Sequence, residues 1–148
     1  MDRVIDFTFH TDLHLVRYRD GLNPPPSGNY EKVSVKTLLF LEKDYIVSFI
    51  LDGEPIRYTV LSGMSTDFAS IPDFVPKWIA KKVDAHIEAA IVHDHMCQAE
   101  TFNYKTAADV FYAAMIAGGT PKWRAKAMRL AVVLGGPKWG DPEKPTVY

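Results

Sequence analysis

Three features of the sequence predict an α+β fold. Alternating β-branched and aromatic residues dominate positions 1–62, an Asp52-Gly53 pair separates two such runs, and glycine-punctuated helical runs follow position 84. The expected architecture is an N-terminal antiparallel sheet of about four or five strands packed against a C-terminal bundle of about three helices. One domain, 1–148, accounts for the length: 1–62 β-rich, 63–84 an ordered loop with a short helix, 85–135 helical, and 136–148 an extended tail.

Val4, Ile5, Phe7 and Phe9 form the first strand signal, and Leu13, Leu15, Val16 and Tyr18 the second, with His10-Thr11-Asp12 as the break. Pro24–Pro26 followed by Ser-Gly-Asn marks a loop, since proline donates no ladder hydrogen bond. Glu31–Leu41 alternates, and Asp52-Gly53 between Tyr45–Leu51 and Ile56–Leu61 is a hairpin signal. Residues 62–72 interleave small and polar side chains with Phe68 and Ile71, as an ordered loop does. Ser70 and Asp73 are candidate caps for short helical turns, and Pro76 opens the next. Asp84, Thr106 and Thr120 are the expected N-caps of helices Ala85–Glu100, Ala107–Ala117 and Pro121–Leu134, with Gly118-Gly119 and Gly135-Gly136 as stops. The proline-rich tail is expected on the surface or on a partner. All three tryptophans, Trp78, Trp123 and Trp139, occur as Pro-Lys-Trp. Two accounts fit: proline opening a helix whose tryptophan packs inward, or a Trp/Lys surface for lipid or polysaccharide.

A net charge of −1 over 148 residues gives no reason to propose a nucleic-acid partner. From Gly118 onward, however, six basic side chains face two acidic ones, a local charge of +4. This is either a solvated helix face or a contact for an anionic surface. The lone Cys97 excludes an intramolecular disulfide and a cysteine-rich zinc site. No run approaches a membrane span, and MDRVIDFTFH does not resemble a signal peptide, so cytoplasmic synthesis is expected.

The chemistry concentrates in Ala85–Met115. His93 and Asp94 sit in an apolar helical run, and Asp109 sits among small and aromatic residues of the next. Charged and imidazole groups on packed faces call for a partner. In an antiparallel hairpin turning near Thr101–Lys105, His93 and Asp109 lie at depths of roughly 12 and 7 Å from the turn. A His93–Asp109 hydrogen bond is therefore expected, with His93 as general base and Asp109 as its orienting partner. The competing reading is a buried pair that only orients two helices. Asp94, about 100° round the helix, suits a hard cation, and Asp67 is either a remote ligand or a loop-organising acceptor. His86 shares the His93 face and is either a metal ligand or a surface residue. His95 is expected to be exposed and Cys97 to be core. A Ser70–His93–Asp109 triad is disfavoured, because no nucleophile elbow surrounds Ser70.

Thr66–Pro72 (TDFASIP), the Ala89–Asp94 run with its His-Asp pair, and Ala108-Asp109-Val110-Phe111 with Met115 together resemble an uncharacterised family common in phage and prophage genomes. It is the domain-of-unknown-function family numbered thirteen fifty-three, which usually carries tyrosine where Cys97 stands. The resemblance spans roughly residues 30–135 and implies a phage origin. His-Asp on one helix with Asp-x-x-Phe on the next is also similar to the catalytic helices of small bacterial phospholipases A2. That likeness implies His93 as base, Asp109 as partner and Asp94 as a Ca2+ ligand, although the paired cysteines and the glycine-rich calcium loop are missing. Two functions are thus expected: a metal-assisted hydrolase acting on a lipid or cell-envelope substrate, or a non-enzymatic virion tail, tip or connector protein. A host-directed binding protein is a third reading. The partners implied are other phage structural proteins or a host envelope component, with the chain made in the host cytoplasm.

Overall fold

In the computed structural model, residues 3–18, 38–63, 65–66 and 87–140 are described. The proline loop at 24–26, the loop carrying Asp67 and Ser70, the Asp73, Pro76 and Asp84 helix starts, Trp78, His86 and residues 141–148 lie outside them. Among the described residues, six strands and three helices are formed in the order β1 (Val4–Phe9), β2 (Leu15–Tyr18), β3 (Leu38–Leu41), β4 (Tyr45–Leu51), β5 (Glu54–Val60), β6 (Ser65–Thr66), α1 (Ile87–Ala99), α2 (Tyr104–Ala117) and α3 (Lys122–Gly135).

The fold is α+β, with antiparallel pairing throughout the described strands. The expected sheet of four or five strands is instead two three-stranded sheets, ordered β1-β4-β5 and β2-β3-β6. The runs at β1, β2, β4 and β5 match expected strands, β3 is the described end of the Glu31–Leu41 run, and β6 falls in the stretch expected to be a loop. The division of strands between sheets depends on long-range pairing, which local alternation does not encode.

β4 follows the two-residue period closely: Tyr45, Val47, Phe49 and Leu51 are buried, while Ile46, Ser48 and Ile50 are half-buried. The β4–β5 turn is made by Asp52 and Gly53, both at positive φ (49° and 85°), as a twisted two-residue hairpin requires. β1 carries a bulge, with Asp6 at φ 52° and a register shift between Ile5 and Thr8. Past the bulge, the Phe7 ring stacks on Phe49 at 5.7 Å between centroids.

The main core joins this sheet to the helices. Val47, Phe49, Leu51, Tyr58 and Val60 meet Ile91, Val92 and Met96 of α1 and Ala107, Val110 and Ala113 of α2. Truncating Phe49 to alanine in such a core costs about 3–5 kcal/mol. A second cluster, Ala89, Phe111, Ala114, Met115, Ala125 and Met128, joins α1, α2 and α3. α2 belongs to both clusters, and its alanines allow close approach on two sides.

Two helix starts differ from expectation. α2 begins earlier, because Asn103 is its N-cap and accepts a hydrogen bond from the Thr106 N–H at 2.8 Å. α3 is preceded by Pro121 as N-cap, with no side-chain capping bond; Thr120 does not cap it. Between α1 and α2, Glu100 (φ 51°) and Phe102 (φ 60°) adopt left-handed backbone, and the Thr101 N–H returns to the Met96 carbonyl at 3.0 Å.

The start of the tail holds this turn in place. Trp139 is buried, and its indole Nε1 donates to the carbonyls of Thr101 (3.3 Å) and Phe102 (3.1 Å), while the Tyr104 N–H donates to the Trp139 carbonyl. A Cβ on Gly140 would come within 2.8 Å of the Asn103 Cβ, and its φ is 68°, so glycine is needed there. Trp139 is thus docked on the turn, while its neighbours Pro137, Lys138 and Gly140 stay exposed. Trp123 is 53% exposed, against 9% for Trp139, so the same tripeptide serves opposite ends.

Candidate functional site

His93 occupies the face of α1 that packs on α2. Its ring stacks on Phe111 at 4.8 Å between centroids, and the Cys97 thiol, one turn on, lies 3.8 Å from both ring nitrogens. The residue is buried, and burial pulls its pKa down to about 4. At neutral pH the imidazole is therefore uncharged. Cys97 is half-buried; burial first, and the Asp94 charge second, push its thiol up to about 12. That keeps the thiol protonated and unreactive, as expected of a packing residue.

Asp109 precedes Phe111 by two residues, about 200° round α2. Since Phe111 faces His93, Asp109 faces away from it. The carboxylate accepts a hydrogen bond from Arg129 Nε at 2.7 Å and lies 3.7 Å from Arg3 Nη1. Arg3 in turn grips Asp52 through Nε (3.0 Å) and Nη2 (2.8 Å) and donates to Thr106 Oγ1 at 3.3 Å. Asp109 thus ties α2 to α3 and β1, and Arg3 extends the chain of contacts to the β4–β5 turn. The Arg3 guanidinium also holds Asp52 below the usual carboxylate range.

The expected His93–Asp109 hydrogen bond is consequently not formed among the described residues. Matching the two residues by depth along the hairpin was sound, but depth fixes only one coordinate. Rotation about α2, set by Phe111, Ala114 and Met115 turning inward, sends Asp109 out to the arginines.

Asp94 is half-buried beside this site. Among the described residues, no group of three His, Cys, Asp or Glu side chains is arranged to hold a metal ion. The expected second ligand, Asp67, lies outside the described residues, as does Ser70.

A pairing that sequence reasoning missed is Tyr58 with His95. The Tyr58 hydroxyl meets His95 Nδ1 at 2.5 Å and lies 3.4 Å from Thr101 Oγ1. His95 is half-buried rather than exposed, and burial lowers its pKa and raises that of Tyr58. The one local signal was the inward register of Tyr58, two residues before Val60 on β5.

Together these features define an α+β domain whose helical hairpin carries a desolvated histidine on one side and an arginine-bound aspartate on the other. Residues 46–132 match the family described as "Protein of unknown function (DUF1353)", and the chain belongs to that family. It is 32% identical over 118 residues to the uncharacterized protein y4jT of Sinorhizobium fredii (strain NBRC 101917 / NGR234), covering 77% of this chain and 33% of that one. It is 38% identical over 76 residues to the uncharacterized protein y4iH of the same strain, covering 51% of this chain and 32% of that one. The chain thus matches about a third of the length of each relative. No solved structure matches. No helix among the described residues is long and apolar enough to cross a membrane.

Proposed function

We propose that this chain is a phage-encoded, non-enzymatic virion component of the tail, tip or connector kind, which contacts a neighbouring structural protein. The observation that carries this reading is the outward face of α3. Trp123, Leu130 and Leu134 are 53%, 53% and 70% exposed, and their i, i+7, i+11 spacing aligns them in one stripe along the helix. Large apolar side chains aligned in this way mark a contact surface. The arginine pairing of Asp109 supports the same reading, because it gives that residue a part in holding β1, α2 and α3 together. The test is mass spectrometry of gradient-purified particles from an induced lysogen carrying the gene. Recovery of the chain in particles, and its loss with Leu130→Asp/Leu134→Asp at unchanged melting temperature, is the expected outcome. A chain found only in the soluble lysate contradicts the proposal.

A second reading, metal-assisted hydrolysis of a lipid or cell-envelope substrate, draws support from the uncharged state of His93. In it His93 is the base and Asp94 and Asp67 hold Ca2+. Asp109 takes part only if Arg129 releases it. Hydrolysis of a short-chain phosphatidylcholine that needs Ca2+ and is lost in Asp94→Asn and His93→Asn would support this alternative. No hydrolysis with Ca2+ or Zn2+ removes it.

A further inference from the structure

We propose that the groove between β1, α2 and α3 binds an anionic amphiphile: a phosphate-type headgroup carrying a short apolar chain. The inference is independent of both functional readings above. It concerns neither the outward stripe of α3 nor the buried His93.

Four cationic side chains, Arg3, Lys122, Lys126 and Arg129, line one part of the groove, about 630 Å³ in volume, beside Val4, Asp109 and Tyr112. Asp52 binds Arg3 from the β4–β5 turn, so two carboxylates, Asp52 and Asp109, against four cations leave two positive charges. Lys122, Lys126 and Arg129 stand at i, i+4 and i+7 of α3, so they share one helix face. Like charges at that spacing repel and weaken a helix, so the arrangement favours an anion to offset it. Among the described residues neither Lys122 nor Lys126 has an acidic partner. The first turn of α3 contains no acid and its N-cap makes no side-chain bond, which adds the positive end of the helix to the same field.

The groove continues into a more apolar part of about 610 Å³, lined by Ile5, Phe7, Ala113, Ile116 and Ala117, with Asp6 and Thr120 also in its lining. Val4, Tyr112 and Lys122 line both parts, so the charged and apolar ends adjoin. A phosphate suits several guanidinium and ammonium groups at once, and an attached chain of a few carbons would cover the exposed Ile5 and Ile116.

The test is isothermal titration calorimetry of the full chain with hexyl phosphate, inorganic phosphate and hexanol as separate probes. Burying a few methylenes against a preformed apolar surface predicts hexyl phosphate binding about ten-fold or more tighter than inorganic phosphate. Lys122→Gln/Lys126→Gln is expected to weaken hexyl phosphate about ten-fold, with weaker salt dependence and an unchanged melting temperature, because both lysines are exposed. Ile116→Ser is expected to lower hexyl phosphate toward the inorganic phosphate value and leave inorganic phosphate unaffected. Equal affinity for hexyl and inorganic phosphate, equal affinity for hexyl phosphate and hexanol, or no heat from any probe overturns the proposal.

Discussion

The Asp109 carboxylate accepts a 2.7 Å hydrogen bond from Arg129 Nε, on the side of α2 away from the histidine it would otherwise be expected to serve. Asp109→Ala should therefore destabilise the fold. A partly buried, charge-assisted bond of this kind is worth about 1–2 kcal/mol after allowance for the exposure of Arg129. In a chain of this size that lowers the melting temperature by about 3–6 °C. Arg129→Ala should give a similar loss, and the double variant little more than either single one. Fully additive losses in that cycle would show that the two side chains do not work together.

Stability should fall with acid because of His93. Its folded pKa, about 4, lies below the 6.5 of an ordinary imidazole, so the unfolded chain binds the extra proton first. The stabilisation is complete above about pH 6.5 and is lost as pH falls from there toward about 4, a loss on the order of 3 kcal/mol. His95 is depressed by burial too and acts in the same direction. Urea unfolding at several pH values measures the slope. His93→Gln should flatten it, and an unchanged slope in that variant would assign the acid sensitivity elsewhere.

The two described tryptophans should behave oppositely. Trp139→Ala removes a buried ring and leaves two turn carbonyls without their indole donor, a loss of about 3–5 kcal/mol. Trp123→Ala should change stability by no more than about 0.5 kcal/mol. Chemical unfolding of both variants decides this, and comparable losses would mean that Trp123 also packs against the fold.

Much of the fold was legible because it is local. β4 was bounded exactly at Tyr45–Leu51, since its inward residues alternate without interruption and Asp52-Gly53 ends it. The helix ends at Gly118 and Gly135 were legible for the same reason. The Asn103 cap was not, because Thr106, three residues on, has the same capping chemistry; Asn103 won by accepting the Thr106 N–H itself. The docking of Trp139 was also hidden, since it depends on carbonyls exposed by a left-handed turn 37 and 38 residues earlier.

The site was legible in its residue types and not in its geometry. Asp109 was correctly read as an acid in need of a partner. The sequence offered His93 sixteen residues before it and Arg129 twenty after it, and helical depth alone favoured the histidine. Arg3, 106 residues away, could not be paired with it by any local argument. The cations at 122, 126 and 129 were visible as a local excess of charge, but their shared groove with β1 exists only once the sheet and α3 are placed on α2.

The central claim is that His93 and Asp109 act separately: one is a desolvated packing residue, the other a bridge between elements. The direct measurement is the His93 pKa, followed by NMR titration of its ring carbon in the parent chain and in Asp109→Asn. A value near 4 in both proteins, alongside a lowered melting temperature in the variant, is expected. A parent pKa above 6.5 that falls when Asp109 loses its charge would restore the pair as a dyad and contradict the claim.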